Sequence, residues 1–189
     1  MDSSALAAML MPERALSIDY GQLAADAELE AAQLVATHYA ITLDVVRIDA
    51  RSLGSGTMTG QRPLESDPCP EWWPYRNQFL LTIAAMHAYK CGASELIIGA
   101  VVTDGEAHTD GRPEFFKRMS HLLGYQEGGI AISTPAITLT TVALVKQAGI
   151  PISVLAGTHS CHVSNLACGR CRGCLKREAV IYELGYIEV

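Results

Sequence analysis

Apolar and polar positions follow two different periods along the chain, and these periods predict its helices and strands. Apolar residues recurring every three or four positions are typical of amphipathic helices. Such stretches cover residues 3–11, 23–39, 76–91, 113–123, 138–148 and 175–184. Short apolar runs predict strands over residues 14–19, 43–48, 95–102 and 130–133. The alternation of helices with strands predicts an α/β fold with a doubly wound parallel sheet.

Polar clusters follow the predicted strands at their carboxyl ends, where parallel sheets bind their ligands. Residues 19–22 follow the first strand, and residues 103–112 follow the third. A third cluster, Arg76 and Asn77, comes after a long loop over residues 49–75 that contains four prolines. Loops of this length are usually functional or mobile. The three clusters together predict a ligand site, whatever the family of the chain.

Two of these clusters have a structural alternative. Asp19-Tyr20-Gly21-Gln22 is either a ligand-binding turn or only the turn that ends a strand, since Asp and Gly are common there. The aromatic residues of Trp72-Trp73-Pro74-Tyr75-Arg76-Asn77 could stack on a planar base, and Arg76 could clamp a carboxylate. The alternative is aromatic core packing with Arg76 in solvent.

Charged residues form two further clusters. Pro113 and Glu114 suit the first turn of a helix, so capping explains Glu114. Capping does not explain Asp104, His108 or Arg112 nearby. The second cluster is either a solvated face or a phosphate-binding surface, and it contains Arg170, Arg172, Lys176 and Arg177.

Composition places the chain among globular proteins. Of its 189 residues, 49% are apolar and 18% are charged, which allows a packed core and excludes intrinsic disorder. The formal net charge of -6 argues against nucleic-acid binding. No apolar run reaches the roughly 18 residues that cross a bilayer, and the start lacks the basic segment of a secretory signal. We therefore expect a cytoplasmic protein without membrane contact.

Four of the six cysteines form the pattern C-x6-C-x2-C-x2-C, and they are Cys161, Cys168, Cys171 and Cys174. Disulfides at this density require an exported chain. Four thiolates at this spacing match a tetrahedral zinc site, and a shell filled by four cysteines makes the zinc structural. The alternative is a set of reduced cysteines with a redox role, which more often uses a single Cys-x2-Cys pair.

Five motifs, taken in order, resemble the 7-cyano-7-deazaguanine synthase family. They are Asp19-Tyr20-Gly21-Gln22, Trp73-Pro74-Tyr75-Arg76-Asn77, Asp110-Gly111-Arg112-Pro113-Glu114-Phe115, Thr134-Pro135, and Thr158-His159-Ser160-Cys161 with the three later cysteines. The resemblance covers nearly the whole chain. The cysteine spacing, the Arg-Asn pair and the Asp-Gly-Arg-Pro-Glu-Phe motif are its specific parts. It implies an ATP-dependent, homodimeric enzyme of queuosine biosynthesis with an adenine-nucleotide α-hydrolase (PP-loop pyrophosphatase) fold.

The resemblance also implies a reaction and a set of site residues. The carboxylate of 7-carboxy-7-deazaguanine would be adenylated by ATP, ammonia would give an amide, and a second activation would give the nitrile. Mg²⁺ would neutralise the phosphates, and zinc would hold the carboxyl-terminal segment near the site. The implied catalytic residues are Asp2, Ser3 and Asp104. The implied nucleotide- or substrate-binding residues are Asp19, Tyr20, Gln22, Arg76, Asn77, Asp110, Arg112 and Glu114.

The sequence departs from the family pattern at two places. Family members begin with a strand and the loop Ser-Gly-Gly-x-Asp-Ser, whose amides cradle pyrophosphate, and here only Met1-Asp2-Ser3 matches its end. The match of Asp2 and Ser3 in register favours a start upstream of Met1, and the alternative is a diverged member. Second, Thr141 falls near the place of a family lysine, which indicates either a diverged reaction or a different register.

Two domains are expected: a nucleotide-binding α/β domain over residues 1–156 that lacks its first strand, and a zinc-binding segment over residues 157–189. Nitrile synthesis from a deazapurine acid, ATP and ammonia is the leading hypothesis. A diverged member would instead join a deazaguanine carboxylate to a protein or peptide amine in a defence or modification system. A non-catalytic nucleotide-binding module is the third hypothesis.

Overall fold

The computed structural model describes residues 1–186. Its helices are α1 (Asp2–Leu10), α2 (Ala25–Tyr39), α3 (Arg76–Cys91), α4 (Val102–Ala107), α5 (Pro113–Tyr125), α6 (Thr141–Ala148), α7 (Ile152–Ala156) and α8 (Arg172–Glu183). Its strands are β1 (Arg14–Asp19), β2 (Thr42–Arg47), β3 (Glu95–Ile97) and β4 (Ala131–Ser133). Short 3-10 turns lie at Arg51–Leu53 and Thr109–Gly111. Within the described residues, no helix has the length and apolar character needed to cross a membrane.

The chain divides into two compact units. The first contains Met1, Ser3–Pro74 and the part of the chain that begins at Lys146, and the second contains Asp2 and Tyr75–Val145. Each unit holds one two-stranded parallel sheet. The α/β fold with parallel strands is therefore confirmed, whereas a single doubly wound sheet stays a prediction. The domain boundary after residue 156 stays a prediction as well.

A β1–α2–β2 crossover forms the sheet of the first unit. The two strands run parallel, with Arg14 opposite Thr42 and Asp19 opposite Arg47. Parallel neighbours need a crossover long enough to carry the chain back to its starting edge, and α2 provides it. α2 contacts both strands. The buried positions of α2 are occupied by small or β-branched residues, namely Ala31, Val35 and Ala36.

Helices α3 and α5 pack against the β3–β4 sheet of the second unit. Its core contains two clusters of buried apolar side chains. Leu96 of β3 and Ile132 of β4 pack against both clusters, so the sheet joins them into one core. The first cluster consists of Leu81, Ala100, Phe116 and Met119, and the second of Ala85, Ala88, Leu123 and Ile130.

Most predicted elements are present, and β1 and α3 have the predicted bounds. The strand predicted over residues 95–102 is wrong after Ile97, because a helix begins at Val102. The Asp104 carboxylate accepts the Val101 backbone N–H at 3.0 Å, a capping bond that starts a helix inside an apolar run. An apolar run does not by itself distinguish a strand from a buried helix. The loop predicted over residues 103–112 is consequently helical in its first half.

Other differences lie at helix starts and in one helix that was not predicted. α1 begins at Asp2, one residue before the predicted start, and no side chain caps it. α6 begins at Thr141 and not at residue 138, because the Thr140 hydroxyl accepts the Ala143 N–H at 3.1 Å. The short helix α7 has no counterpart among the predicted elements.

Candidate active site and metal centre

The turn that joins β1 to α2 carries Asp19, Tyr20 and Gln22. Gln22 is 4% exposed, and its Oε1 accepts the Tyr20 N–H at 2.9 Å. Its Nε2 donates to the Glu28 carboxylate of α2 at 2.8 Å. Asp19 Oδ1 accepts the Gly21 N–H at 3.0 Å, and the φ of 96° at Gly21 is a conformation that other residues avoid. The turn is therefore rigid, and Gln22 ties it to the first turn of α2.

Trp73 belongs to the packed interior of the first unit. It is 5% exposed, and Tyr20, equally buried, meets it edge-on with ring centroids 4.8 Å apart. A Cβ at Gly54 would lie 2.9 Å from the Trp73 ring, which leaves no room for a side chain there. Core packing is thus the correct interpretation for Trp73.

The long loop before α3 is held in place by hydrogen bonds of its own. Asp67 Oδ2 accepts from the Ser55 hydroxyl and from the Leu64 N–H, both at 2.8 Å. The Pro70 carbonyl accepts the Thr57 N–H at 2.8 Å. These bonds fix the path of the loop between Ser55 and Pro70.

In the second unit, three predicted site residues, Asn77, Asp110 and Arg112, take part in hydrogen bonds with the segment that follows β3. Asn77, in the first turn of α3, donates through Nδ2 to the Asp110 carbonyl at 3.1 Å. Arg112 donates through Nε to the Gly105 carbonyl at 3.1 Å, which orients its guanidinium group. Among residues 1–186, no acceptor is recorded for the terminal nitrogens of Arg112. The segment that follows β3 therefore carries a carboxylate and a guanidinium group, and the Asn77 amide of α3 is hydrogen-bonded to it.

The same loop depends on a close backbone approach at Gly111. A Cβ at Gly111 would lie 2.6 Å from the carbonyl carbon and oxygen of Asp104, so a larger residue would force the loop apart. The expectation that capping does not explain Asp104 is wrong, because its carboxylate caps α4 through the Val101 N–H. Its catalytic role stays a prediction.

Glu114 and Arg76 lie at the starts of α5 and α3. Glu114 forms an exposed ion pair with Arg118 at 2.8 Å, and the Arg118 guanidinium lowers the pKa of the Glu114 carboxyl below its usual range. This pair and the helix start explain Glu114 without a ligand. Arg76 is partly buried as the first residue of α3. Ligand binding by these two residues stays a prediction.

Asp2 and Ser3 occupy the first turn of α1. The first N–H groups of a helix have no partner within the helix, and they attract anions. This position suits the roles that the resemblance implies for both residues, and those roles stay predictions. Thr141, near the place of the family lysine, is 3% exposed, and its hydroxyl has no hydrogen-bond partner among the described residues. A threonine cannot supply the positive charge of a lysine.

The four clustered cysteines could hold a tetrahedral metal ion. The sulfurs of Cys161, Cys168, Cys171 and Cys174 all lie within 4.8 Å of one another. Two of the sulfur pairs, Cys168–Cys174 and Cys161–Cys171, are 3.9 Å apart. Zinc–sulfur bonds of about 2.3 Å in a tetrahedron place the sulfurs roughly 3.8 Å apart. The donor set therefore fits zinc in both chemistry and spacing.

Backbone amides and burial give these thiols different acidities. The N–H groups of Arg170 and Cys171 donate to the Cys168 sulfur and lower the pKa of Cys168 to about 6. Burial raises the pKa of Cys174 to about 12. The Cys171 sulfur accepts the Cys174 N–H at 3.4 Å and so caps α8. Metal binding would release the Cys174 proton, and the metal would sit at the start of α8.

Arg177 has a structural role that its place in the basic cluster did not indicate. Its guanidinium group donates to the Thr158 hydroxyl, and to the carbonyls of Leu155 and Ala156 at 3.1 and 2.9 Å. These carbonyls end α7, so Arg177 caps that helix and joins it to α8. Neither interpretation of the basic cluster, a solvated face or a phosphate site, describes Arg177.

Comparison with models of protein families matches residues 1–185 to the queuosine biosynthesis protein QueC. This chain belongs to the QueC family. The 7-cyano-7-deazaguanine synthase of Picrophilus torridus is 32% identical to it over 187 residues, which cover 90% of this chain and 77% of that protein. The synthase of Thermoplasma acidophilum is 33% identical with the same coverage. The synthase of Solidesulfovibrio magneticus is 34% identical over 192 residues, which cover 90% of this chain and 81% of that protein. The resemblance carried by the motifs is thereby confirmed.

Sequence reasoning missed two residues that organise the metal-binding region. Arg177 contacts residues 19 to 22 positions earlier in the chain. Asn165 contacts α2, with hydrogen bonds that span 138 and 139 positions. Periodicity and spacing report on neighbours along the chain, so no local signal identifies either contact.

Proposed function

We propose that this chain converts 7-carboxy-7-deazaguanine and ammonia to 7-cyano-7-deazaguanine in an ATP-dependent reaction, as a ligase that forms a carbon–nitrogen bond. The observation that carries the proposal is the QueC match over residues 1–185. Relatives that are named 7-cyano-7-deazaguanine synthase at 32–34% identity support it.

Chemically, a carboxylate is a poor electrophile, and two activations are needed to reach a nitrile. The substrate carboxylate attacks the α-phosphate of ATP, so that pyrophosphate leaves and an acyl-adenylate forms. Ammonia attacks the acyl carbon, AMP leaves, and the product is an amide. Adenylation of the amide oxygen by a second ATP releases pyrophosphate, and loss of AMP and of the two amide protons leaves the nitrile. Mg²⁺ bound with ATP supplies charge neutralisation at the phosphates.

The residues of the second unit suit recognition of the deazapurine acid. The guanidinium group of Arg112 is oriented by its bond to Gly105, and its terminal nitrogens match a carboxylate in bidentate geometry. Asn77 and Asp110 offer amide and carboxylate groups for a purine edge. On the strength of the family resemblance, we assign catalytic roles to Asp2, Ser3 and Asp104, and nucleotide or substrate binding to Asp19, Tyr20 and Gln22.

The architecture and assembly of the family complete the proposal. The two parallel strand pairs and the family membership support a doubly wound sheet of the adenine-nucleotide α-hydrolase type. The fit of the four sulfurs supports structural zinc. A cytoplasmic homodimer of the PP-loop type is proposed from the family resemblance alone.

The test is a direct assay of the chain with the acid, ammonium, ATP and Mg²⁺. We expect the nitrile by mass spectrometry, with two AMP released for each nitrile formed. A second form, extended at its amino end by a strand and a Ser-Gly-Gly segment, is assayed in parallel. A result with neither AMP nor nitrile from either form contradicts the proposal.

Arg112→Ala tests the assigned carboxylate contact. Loss of a hydrogen bond to a charged group costs about 1.5–3 kcal/mol, so kcat/KM should fall about 10- to 100-fold. The matched control is Arg118→Ala, because Arg118 forms only an exposed ion pair on α5. Equal kcat/KM values for the two variants would remove Arg112 from the site.

A further inference from the structure

The segment between α7 and α8 lies along helix α2. Near the middle of α2, Leu34 packs closely against Gly157. A Cβ added to Gly157 would lie 2.6 Å from Leu34 Cδ1. At the amino end of α2, Asn165 Oδ1 accepts the Ala27 N–H at 3.2 Å. Asn165 Nδ2 donates to the Asp26 carboxylate at 3.2 Å. The two contacts are seven residues of α2 apart, or about 10 Å of helix.

The amino end of α2 lacks a cap of its own. Its N-cap residue is Ala24, and no side chain there bonds to the helix. An uncapped helix leaves its first N–H groups without intrahelical partners. Asn165 satisfies one of these groups from a distant part of the chain, and so replaces the missing cap.

The first turn of α2 is joined directly to the β1–α2 turn. Glu28 accepts a hydrogen bond from Gln22 at 2.8 Å, and Gln22 in turn accepts the Tyr20 N–H. A shift of the α2 first turn would therefore disturb the turn that carries Asp19, Tyr20 and Gln22.

Asn165 also lies in the loop between two of the predicted metal ligands. Cys161 precedes it by four residues and Cys168 follows it by three. A metal bound to both sulfurs closes this loop, and closure removes conformational freedom that Asn165 would otherwise lose on docking. Metal binding and docking of Asn165 should therefore favour each other.

We propose that zinc in the four-cysteine centre stabilises the amino end of α2 through Asn165, which acts as a positioning residue for the β1–α2 turn. The inference rests on the proposed zinc binding and not on the proposed reaction. Coupling between two sites is reciprocal, so loss of the Asn165 contact weakens zinc binding by the same factor by which it loosens the α2 turn.

The test combines hydrogen exchange with zinc affinity, and neither measurement uses turnover. Exchange is followed in peptides covering residues 20–32, with the α3 peptide, residues 76–91, as the internal reference. Zinc affinity is measured by competition with a chromogenic chelator. The neutral hydrogen bond to Ala27 is worth about 0.5–1.5 kcal/mol, and Asn165→Ala also removes the exposed bond to the Asp26 carboxylate. In the zinc-loaded variant we therefore expect exchange in the α2 turn to be at least about 2- to 10-fold faster and zinc affinity to be at least about 2- to 10-fold lower.

Two further variants separate coupling from a purely local effect. Leu166→Ala removes an exposed side chain from the same loop and should match the wild type in both measurements. The double substitution Asn165→Asp with Asp26→Asn keeps one amide and one carboxylate. The carboxylate now accepts from the Ala27 N–H and from the amide group introduced at position 26. This pair should restore both values, which a role confined to the metal-binding loop would not predict.

Each outcome decides the proposal. Wild-type exchange and zinc affinity in Asn165→Ala, or no recovery in the reciprocal pair, overturn the coupling while zinc binding stands. A wild type that binds no zinc overturns the metal centre and the coupling together. Nitrile synthesis by the wild type, measured separately, tests the proposed function, so failure of the coupling and failure of the proposed reaction are distinguishable.

Discussion

Replacing Cys171 by serine isolates the contribution of the metal from that of helix capping. Cys171 is a predicted zinc ligand, and its sulfur also accepts the Cys174 N–H at the start of α8. A serine hydroxyl is a good N-cap and can accept the same N–H, so α8 keeps its cap. What the variant loses is one thiolate from the ligand set.

The expected magnitude follows from sharing the binding free energy among four ligands. Structural zinc contributes about 10–16 kcal/mol in small domains, so one ligand is worth about 3 kcal/mol, or roughly a 100-fold loss of zinc affinity. At a free zinc concentration about 1,000 times the wild-type dissociation constant, zinc stabilises the wild type by about 4.1 kcal/mol. The same zinc stabilises the variant by about 1.4 kcal/mol, so the free energy of unfolding falls by about 2.7 kcal/mol.

Two measurements check this expectation. Chelator competition gives the zinc affinity, and urea denaturation at fixed free zinc gives the free energy of unfolding. The control is Cys91→Ser, because Cys91 is exposed and lies outside the four-sulfur cluster. Wild-type zinc affinity in Cys171→Ser would refute the four-cysteine centre, and lower stability in Cys91→Ser would show that the loss is not specific to the metal.

Three other substitutions test the packing around the candidate site. Trp73→Ala should lower the free energy of unfolding, measured by urea denaturation, by about 3–5 kcal/mol, because it empties the space beside Tyr20. An effect no larger than that of Trp72→Ala, at a more exposed position, would contradict this packing. Gly111→Ala should cost about 1–3 kcal/mol through its clash with the Asp104 backbone. Gly124 lies in α5, and no atom lies near an added Cβ, so Gly124→Ala should instead stabilise the protein by about 0.5–1 kcal/mol. Equal midpoints of thermal denaturation for Gly111→Ala and Gly124→Ala would refute the close approach at Gly111.

Local signals predicted much of the secondary structure and the cluster of four cysteines. The bounds of β1 and α3 follow from apolar periodicity, and Gly92 in a left-handed conformation ends α3. The cysteine cluster was predictable because two Cys-x2-Cys pairs place sulfurs near one ion by local chain geometry. The structure agrees, with all four sulfurs within 4.8 Å.

The apolar pattern did not predict where β3 ends, because a capping side chain starts a helix within the same apolar run. β3 is short because Asp104 caps the helix that begins at Val102, and the apolar run through that point is compatible with either structure. For Trp73, the sequence did not distinguish stacking on a ligand from packing in the core. An aromatic residue at a loop end packs or stacks according to its neighbours, and those neighbours are Tyr20 and Gly54.

The sequence by itself determined the α/β class, the family motifs and the cluster of four cysteines, because each rests on the spacing of residues along the chain. The tertiary structure decided which of the remaining polar residues hold the protein together. Gln22, Asn165 and Arg177 form hydrogen bonds that join different segments of the chain. For Asn165 and Arg177 those partners are distant in sequence, and contacts of this kind form only when the packed chain brings the two segments side by side.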